Sequence, residues 1–156
     1  MNAKVKACFW FDRQAMEAVD FYVSLLPDSR IDAISHNVEE MGMAPAGTVL
    51  AIDFTLAGTP FQAINGGPEF QLSEAASISI ATKDQAETDH LWDALLANGG
   101  TPSQCGWLKD RFGLSWQITP TRALDLLSGP QAGKVWPVFF KMSKIDLARL
   151  EAAARA

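Results

Sequence analysis

Cysteine, histidine and concentrated positive charge are all scarce in this chain of 156 residues. Its two cysteines, Cys8 and Cys105, form no CxxC pair and are too few for a disulfide framework. They read as buried or half-buried free thiols of a reducing compartment. Basic residues number 13 against 18 acidic ones, for a net charge of −5, and they are scattered. That excludes a nucleic-acid partner, which needs clustered Lys and Arg against the phosphate backbone. Long apolar runs are also missing. The stretch Val135 to Phe140 is far too short to cross a bilayer, so no membrane partner is expected. The start, Met1-Asn2-Ala3-Lys4-Val5-Lys6, has neither the apolar stretch nor the small-residue cleavage site of a signal peptide, and a cytoplasmic location is expected.

What is present is an ordinary globular balance, 48% hydrophobic and 20% charged, enough for one domain over residues 1–156. Val5 to Phe11 reads as a strand, and Asp12 stands where a helix N-cap belongs, ahead of Gln14 to Leu26. Met16, Val19, Val23 and Leu26 give that helix an apolar stripe. Strands follow over Arg30 to Val38, Thr48 to Leu56 and Phe61 to Asn65, with a turn at Ala57-Gly58-Thr59-Pro60. The order then restarts. Ser77 to Thr82 alternates strictly, Asp84 and Glu87 make a capping box, and a helix runs to Asn98 before Gly99-Gly100. Phe21-Tyr22 with Leu25-Leu26 matches Leu91-Trp92 with Leu95-Leu96 at constant offset, which points to an internal duplication. Leu114 to Thr119 is the last clear strand, with Leu114, Trp116 and Ile118 on one side and Ser115, Gln117 and Thr119 on the other. The tail holds a short helix over Thr121 to Leu127, an apolar segment from Val135 to Met142, and a final helix capped by Ser143 and Asp146. Its aromatic load must cover either its own cleft or a partner subunit, and a homodimer is expected.

Several segments together resemble the PhnB-like branch of the vicinal oxygen chelate superfamily, which includes glyoxalases, bleomycin-resistance proteins and extradiol dioxygenases. They are Phe21-Tyr22 with Leu25-Leu26-Pro27-Asp28-Ser29, Asp53-Phe54-Thr55-Leu56-Ala57-Gly58, Asn65-Gly66-Gly67-Pro68, Leu91-Trp92-Asp93, Cys105-Gly106-Trp107-Leu108-Lys109-Asp110-Arg111-Phe112-Gly113-Leu114-Ser115-Trp116-Gln117, and Met142-Ser143-Lys144-Ile145-Asp146. The resemblance implies an α+β fold of two βαβββ modules, about 4–68 and 75–120, forming a curved mixed sheet around a cleft, with a helical tail over 121–156. It also brings the label demethylubiquinone methyltransferase. The usual S-adenosylmethionine fold needs a glycine-rich turn after its first strand, and here that turn is Asp12-Arg13-Gln14.

Catalytic members of the superfamily hold a divalent metal through His and Glu on inward strand faces. The resemblance places those positions near Ala7, within a residue, and at Gln62, Ser77 and Gln117. None is His, Asp or Glu, so no metal and no cofactor are expected. His36 and His90 read as surface histidines, and Asp53 either faces inward or lies near a sheet edge. The cleft lining is then Ser77, Ser79, Ser115, Gln117, Gln62 and Asp53, with Trp107 as a stacker at the rim and Cys105 as a packed loop thiol. Such a neutral polar lining suits hydrogen bonding to a small molecule. A metal-dependent lyase, isomerase or dioxygenase with atypical ligands, and a methyltransferase, are the alternatives.

Overall fold

A computed structural model describes residues 3–38 and 44–156. The chain divides into two compact units, Met1–Leu72 and Ser73–Ala156. Among the described residues no helix is long and apolar enough to cross a membrane.

The first unit runs β1 (Ala7–Phe11), α1 (Ala15–Leu25), β2 (Arg30–His36), β3 (Val49–Leu56) and β4 (Thr59–Asn65). Its four strands form one sheet in the order β1-β4-β3-β2, with β1 parallel to β4 and the other neighbours antiparallel. Side chains alternate across a strand. Phe9, Phe11, Ile52, Phe54 and Ala63 accordingly share the buried face, on which α1 packs through β3. The buried stripe of α1 is Ala15, Ala18, Val19 and Tyr22 rather than Met16, Val19, Val23 and Leu26. Small residues at its start bring the helix close to the sheet, and that rotates the stripe by one position. The expected cap at Asp12 is also corrected. Gln14 occupies the N-cap position without a side-chain bond, and the Ala15 N–H donates instead to Asn65 Oδ1 at 2.9 Å. The cap arrives from the end of the neighbouring strand β4, where Asn65 pairs with Phe11.

The second unit repeats the plan with β5 (Ser77–Thr82), α2 (Gln85–Leu96), β6 (Thr101–Pro102), β7 (Trp107–Lys109) and β8 (Ser115–Pro120). Its sheet has the equivalent order, β5-β8-β7-β6, again with the first and last strands parallel. Trp116, Ile118 and Leu108 form the buried face, and α2 covers β7 and β8 with Leu91, Trp92 and Leu95. Asp84 accepts the Glu87 N–H at 2.8 Å, and the Glu87 carboxylate accepts the Lys83 N–H at 2.7 Å.

Three helices complete this unit: α3 (Thr121–Ser128), α4 (Ala132–Phe139) and α5 (Leu147–Arg155). Their apolar residues build a small core of their own. Ala123, Leu126, Leu127, Val135, Phe139, Met142, Ile145 and Leu150 are buried together, with Cys105 packed against them. Of the tail's aromatic residues Phe139 is buried here, while Trp136 and Phe140, with Leu124, stay exposed. The Cys105 and Gly106 N–H groups donate to Met142 O and Ser143 O, each at 2.8 Å. Gln85 joins α2 to the tail through both ends of its amide, donating to Ile145 O at 2.9 Å and accepting from Leu147 N at 2.8 Å. Beside it Lys144 meets Asp89 at 2.9 Å. Asp146 caps α5 alone by accepting from Arg149 N; Ser143, expected in that cap, donates to Ser103 O instead.

Candidate functional site

In the second unit the sheet face opposite α2 is polar. Strand register places Ser77 beside Ser115 and Lys109, and Ser79 beside Gln117 and Trp107. The Gln117 amide donates to Ser77 Oγ at 2.9 Å. That leaves the Gln117 carbonyl oxygen as an acceptor and the Ser77 hydroxyl hydrogen as a donor. Ser115 is 1% exposed, and its hydroxyl makes no hydrogen bond. Ser79 is exposed and Thr119 buried on the same face. Lys109 reaches away to Glu74 at 2.6 Å. Ser77, Ser79, Ser115, Gln117 and Trp107 therefore do share one surface.

The loop between β7 and β8 aligns that surface. Asp110 is buried and accepts from Phe112 N at 2.8 Å, Leu114 N at 3.1 Å and Trp116 Nε1 at 2.8 Å. Trp116 is thereby pinned beneath α2, and its neighbours Ser115 and Gln117 are turned to the opposite face.

The first unit has a counterpart face. Cys8, Gln62 and Asp53 stand in one row across three strands. Gln62 pairs with Cys8 as Gln117 pairs with Ser79, so the register makes Lys6 the counterpart of Ser77. Lys6 lies within the one residue allowed around Ala7, while Ala7 itself belongs to the face of Phe9 and Phe11. Lys6 donates to Asp53 Oδ2 at 2.6 Å, and the Gln62 amide donates to Asp53 Oδ1 at 2.9 Å. Asp53 lies on β3, an interior strand, so it is not a sheet-edge residue. Lys6 stands two residues before Cys8, on the same face; a lysine just before a strand carries no periodic signal of its own.

The Lys6 ammonium, helped by the Gln62 amide, holds the Asp53 carboxyl below the usual carboxylate range. The folded carboxyl is then the stronger acid. Its contribution to stability is complete above the ordinary value of about 3.9 and is lost as pH falls through the lower folded value. Asp53→Asn is expected to flatten the acid limb of the melting temperature measured from about pH 6 down to pH 3. Equal acid slopes in the two proteins would show the pair to be inert.

Partial desolvation by its neighbours, and then the negative charge of Asp53, push the Cys8 thiol up, and desolvation in its loop pushes Cys105 up. Neither is set up as a thiolate nucleophile. Cys8 is exposed rather than buried, whereas Cys105 packs in its loop with the thiol towards Phe139 O. His36 and His90 are both exposed.

A divalent metal, which the superfamily implies, does not fit these residues. In the first unit the positions offer an ammonium (Lys6) and a carboxamide (Gln62) beside a carboxylate, Asp53, already neutralised by that ammonium; in the second they offer a hydroxyl (Ser77) and a carboxamide (Gln117). Among the described residues no three His, Cys, Asp or Glu side chains are grouped to hold an ion. A dication needs anionic or imidazole donors to replace its water. Nor do the glycines form a phosphate-binding turn. Gly66 lies against the Trp10 ring, where a Cβ would come within 2.2 Å, and the Trp10 indole donates to Gly67 O at 2.9 Å.

Residues 3–119 match the family model described as 3-demethylubiquinone-9 3-methyltransferase. The chain belongs to that family. The PhnB protein of Bacillus cereus is 31% identical over 76% of this chain and 100% of its own, with a TM-score of 0.68. Protein PA1353 of Pseudomonas aeruginosa shares the fold, with 20% identity over 76% of this chain and 98% of its own and a TM-score of 0.62. The match to the Bacillus cereus protein makes the family PhnB-like. No curated protein matches the chain. The family match ends at residue 119, so the tail helices α3, α4 and α5 lie beyond it.

Proposed function

We propose that this PhnB-like protein binds an uncharged, hydrogen-bonding small molecule without the help of a metal. The observation that supports this reading is the Ser77–Gln117 pair beside the buried, unbonded hydroxyl of Ser115. Donors and acceptors lie side by side there, and the ammonium nearest them is engaged with Glu74. Such groups orient a ligand while offering no acid or base near neutral pH. Methyl transfer, named in the family description, finds no support in a glycine-rich turn, and Lys109, the ionisable group that the register places on this face, is paired with Glu74.

A thermal-shift panel of nucleosides, sugars and small amides tests the reading. At least one class is expected to raise the melting temperature equally with and without chelator, since a ligand at a hundred times its Kd stabilises by about 2.7 kcal/mol. Gln117→Leu is expected to weaken that ligand about tenfold or more by removing its acceptor. A shift that appears only after Mn, Fe, Ni or Zn is added overturns the reading in favour of a metal site. Calorimetric binding of S-adenosylmethionine overturns it in favour of methyl transfer, and no response to any class removes it outright.

A further inference from the structure

The first unit contains a hollow of about 280 Å³ lined by the side chains of Lys6, Arg30, Asp32, Asp53, Thr55 and Pro60, while the rings of Phe54 and Phe61 turn to the opposite, buried face of the sheet. Two ion pairs border it. Lys6 meets Asp53 at 2.6 Å, and Arg30 Nε meets Asp32 at 2.9 Å while Thr55 Oγ1 donates to the other oxygen of Asp32 at 2.6 Å. Asp53 and Thr55 are two residues apart on β3, so the two pairs are separated by roughly 7 Å along the strand.

Neither pair exhausts its groups. An ammonium has three donors, and Lys6 uses one on Asp53. A carboxylate has about four acceptor sites, and Asp53 uses one on Lys6 and one on Gln62. Arg30 commits its Nε, and one terminal nitrogen sits 3.8 Å from Asp28. Each end of the hollow can thus take on an additional charge without breaking the pair already there. Lys6 and Asp53 are also only 17% and 21% exposed, so much of their desolvation cost is already met by the fold.

We propose that this hollow binds an elongated zwitterion, an ω-amino carboxylate whose ammonium meets Asp53, whose carboxylate meets Arg30, and whose methylene chain crosses Pro60. An α-amino acid is the wrong shape, because a single carbon separates its charges. The site is distinct from the Ser77–Gln117 surface and does not depend on it.

Titration of 5-aminopentanoate into the intact protein, followed by amide chemical shifts, tests the assignment against three controls: pentanoate, pentylamine and alanine. Saturable shifts confined to the hollow, with each control about tenfold weaker or more, support it. Arg30→Gln and Asp53→Asn are each expected to weaken 5-aminopentanoate by about tenfold or more, whereas Gln117→Leu leaves it unchanged. Arg30 is 60% exposed, so its variant keeps the test valid even if Asp53→Asn unfolds. Equal binding of all four compounds, saturable shifts elsewhere than the hollow, no saturable shift at all, or full affinity in Arg30→Gln overturns the proposal.

Discussion

Asp110→Ala is expected to cost roughly 3–5 kcal/mol of folding stability, among the largest effects of any single change in the chain. The carboxylate gathers three donors, and two of them, Leu114 N and Trp116 Nε1, form buried bonds. Truncation leaves both without an acceptor, and each orphaned buried donor costs about 1–3 kcal/mol. The third bond, to Phe112 N, shapes the turn itself. Asp110→Asn retains one acceptor oxygen but sets an NH₂ against donors, so an intermediate loss is expected. Urea denaturation followed by tryptophan fluorescence measures both. A loss below about 1 kcal/mol for the alanine variant would show that the turn and Trp116 hold without this side chain.

Gly106→Ala is expected to be nearly as damaging, by about 3 kcal/mol or more. Gly106 sits at φ +81°, where an L side chain is strained. A Cβ there would lie 2.7 Å from Ile118 O and 3.1 Å from Ile145 Cγ1. The backbone cannot slide aside, because Gly106 N donates to Ser143 O and Gly106 O accepts from Ile118 N, both at 2.8 Å. Gly113 is the internal control. Its φ is +90°, but nothing lies within 4 Å of its Cβ direction. Gly113→Ala is expected to cost only the conformational term, about 1 kcal/mol. Melting both variants separates overlap from backbone strain, and equal losses would refute the packing account.

The duplicated plan was legible because it is written in local signals. β5 runs over Ser77–Thr82 as its alternation requires, and Asp84 caps α2 as its spacing to Glu87 requires. What escaped is what depends on distant partners. The α1 cap comes from Asn65, fifty residues away, and no local pattern marks it. β6 and β7 are two and three residues long, too short to display a period. Ser143 had the spacing of a capping residue, yet Ser103 O captured its hydroxyl. The polar face of Ser77, Ser115 and Gln117 followed from alternation on a strand buried on its other side. Lys6 did not, because its place depends on pairing between β1 and β4, and register is a tertiary property.

Attachment of the terminal helix through Gln85 has its own consequence. A carboxamide carries no net charge, so the two bonds of the clasp to Ile145 and Leu147 join neutral groups, and salt or acid reaches them only through the third bond of Gln85, to Asp89 at 3.0 Å. The neighbouring Lys144–Asp89 contact is half-exposed and contributes at most about 1 kcal/mol, fading in brine. Urea, which competes for amides directly, is the solute to which this fastening yields.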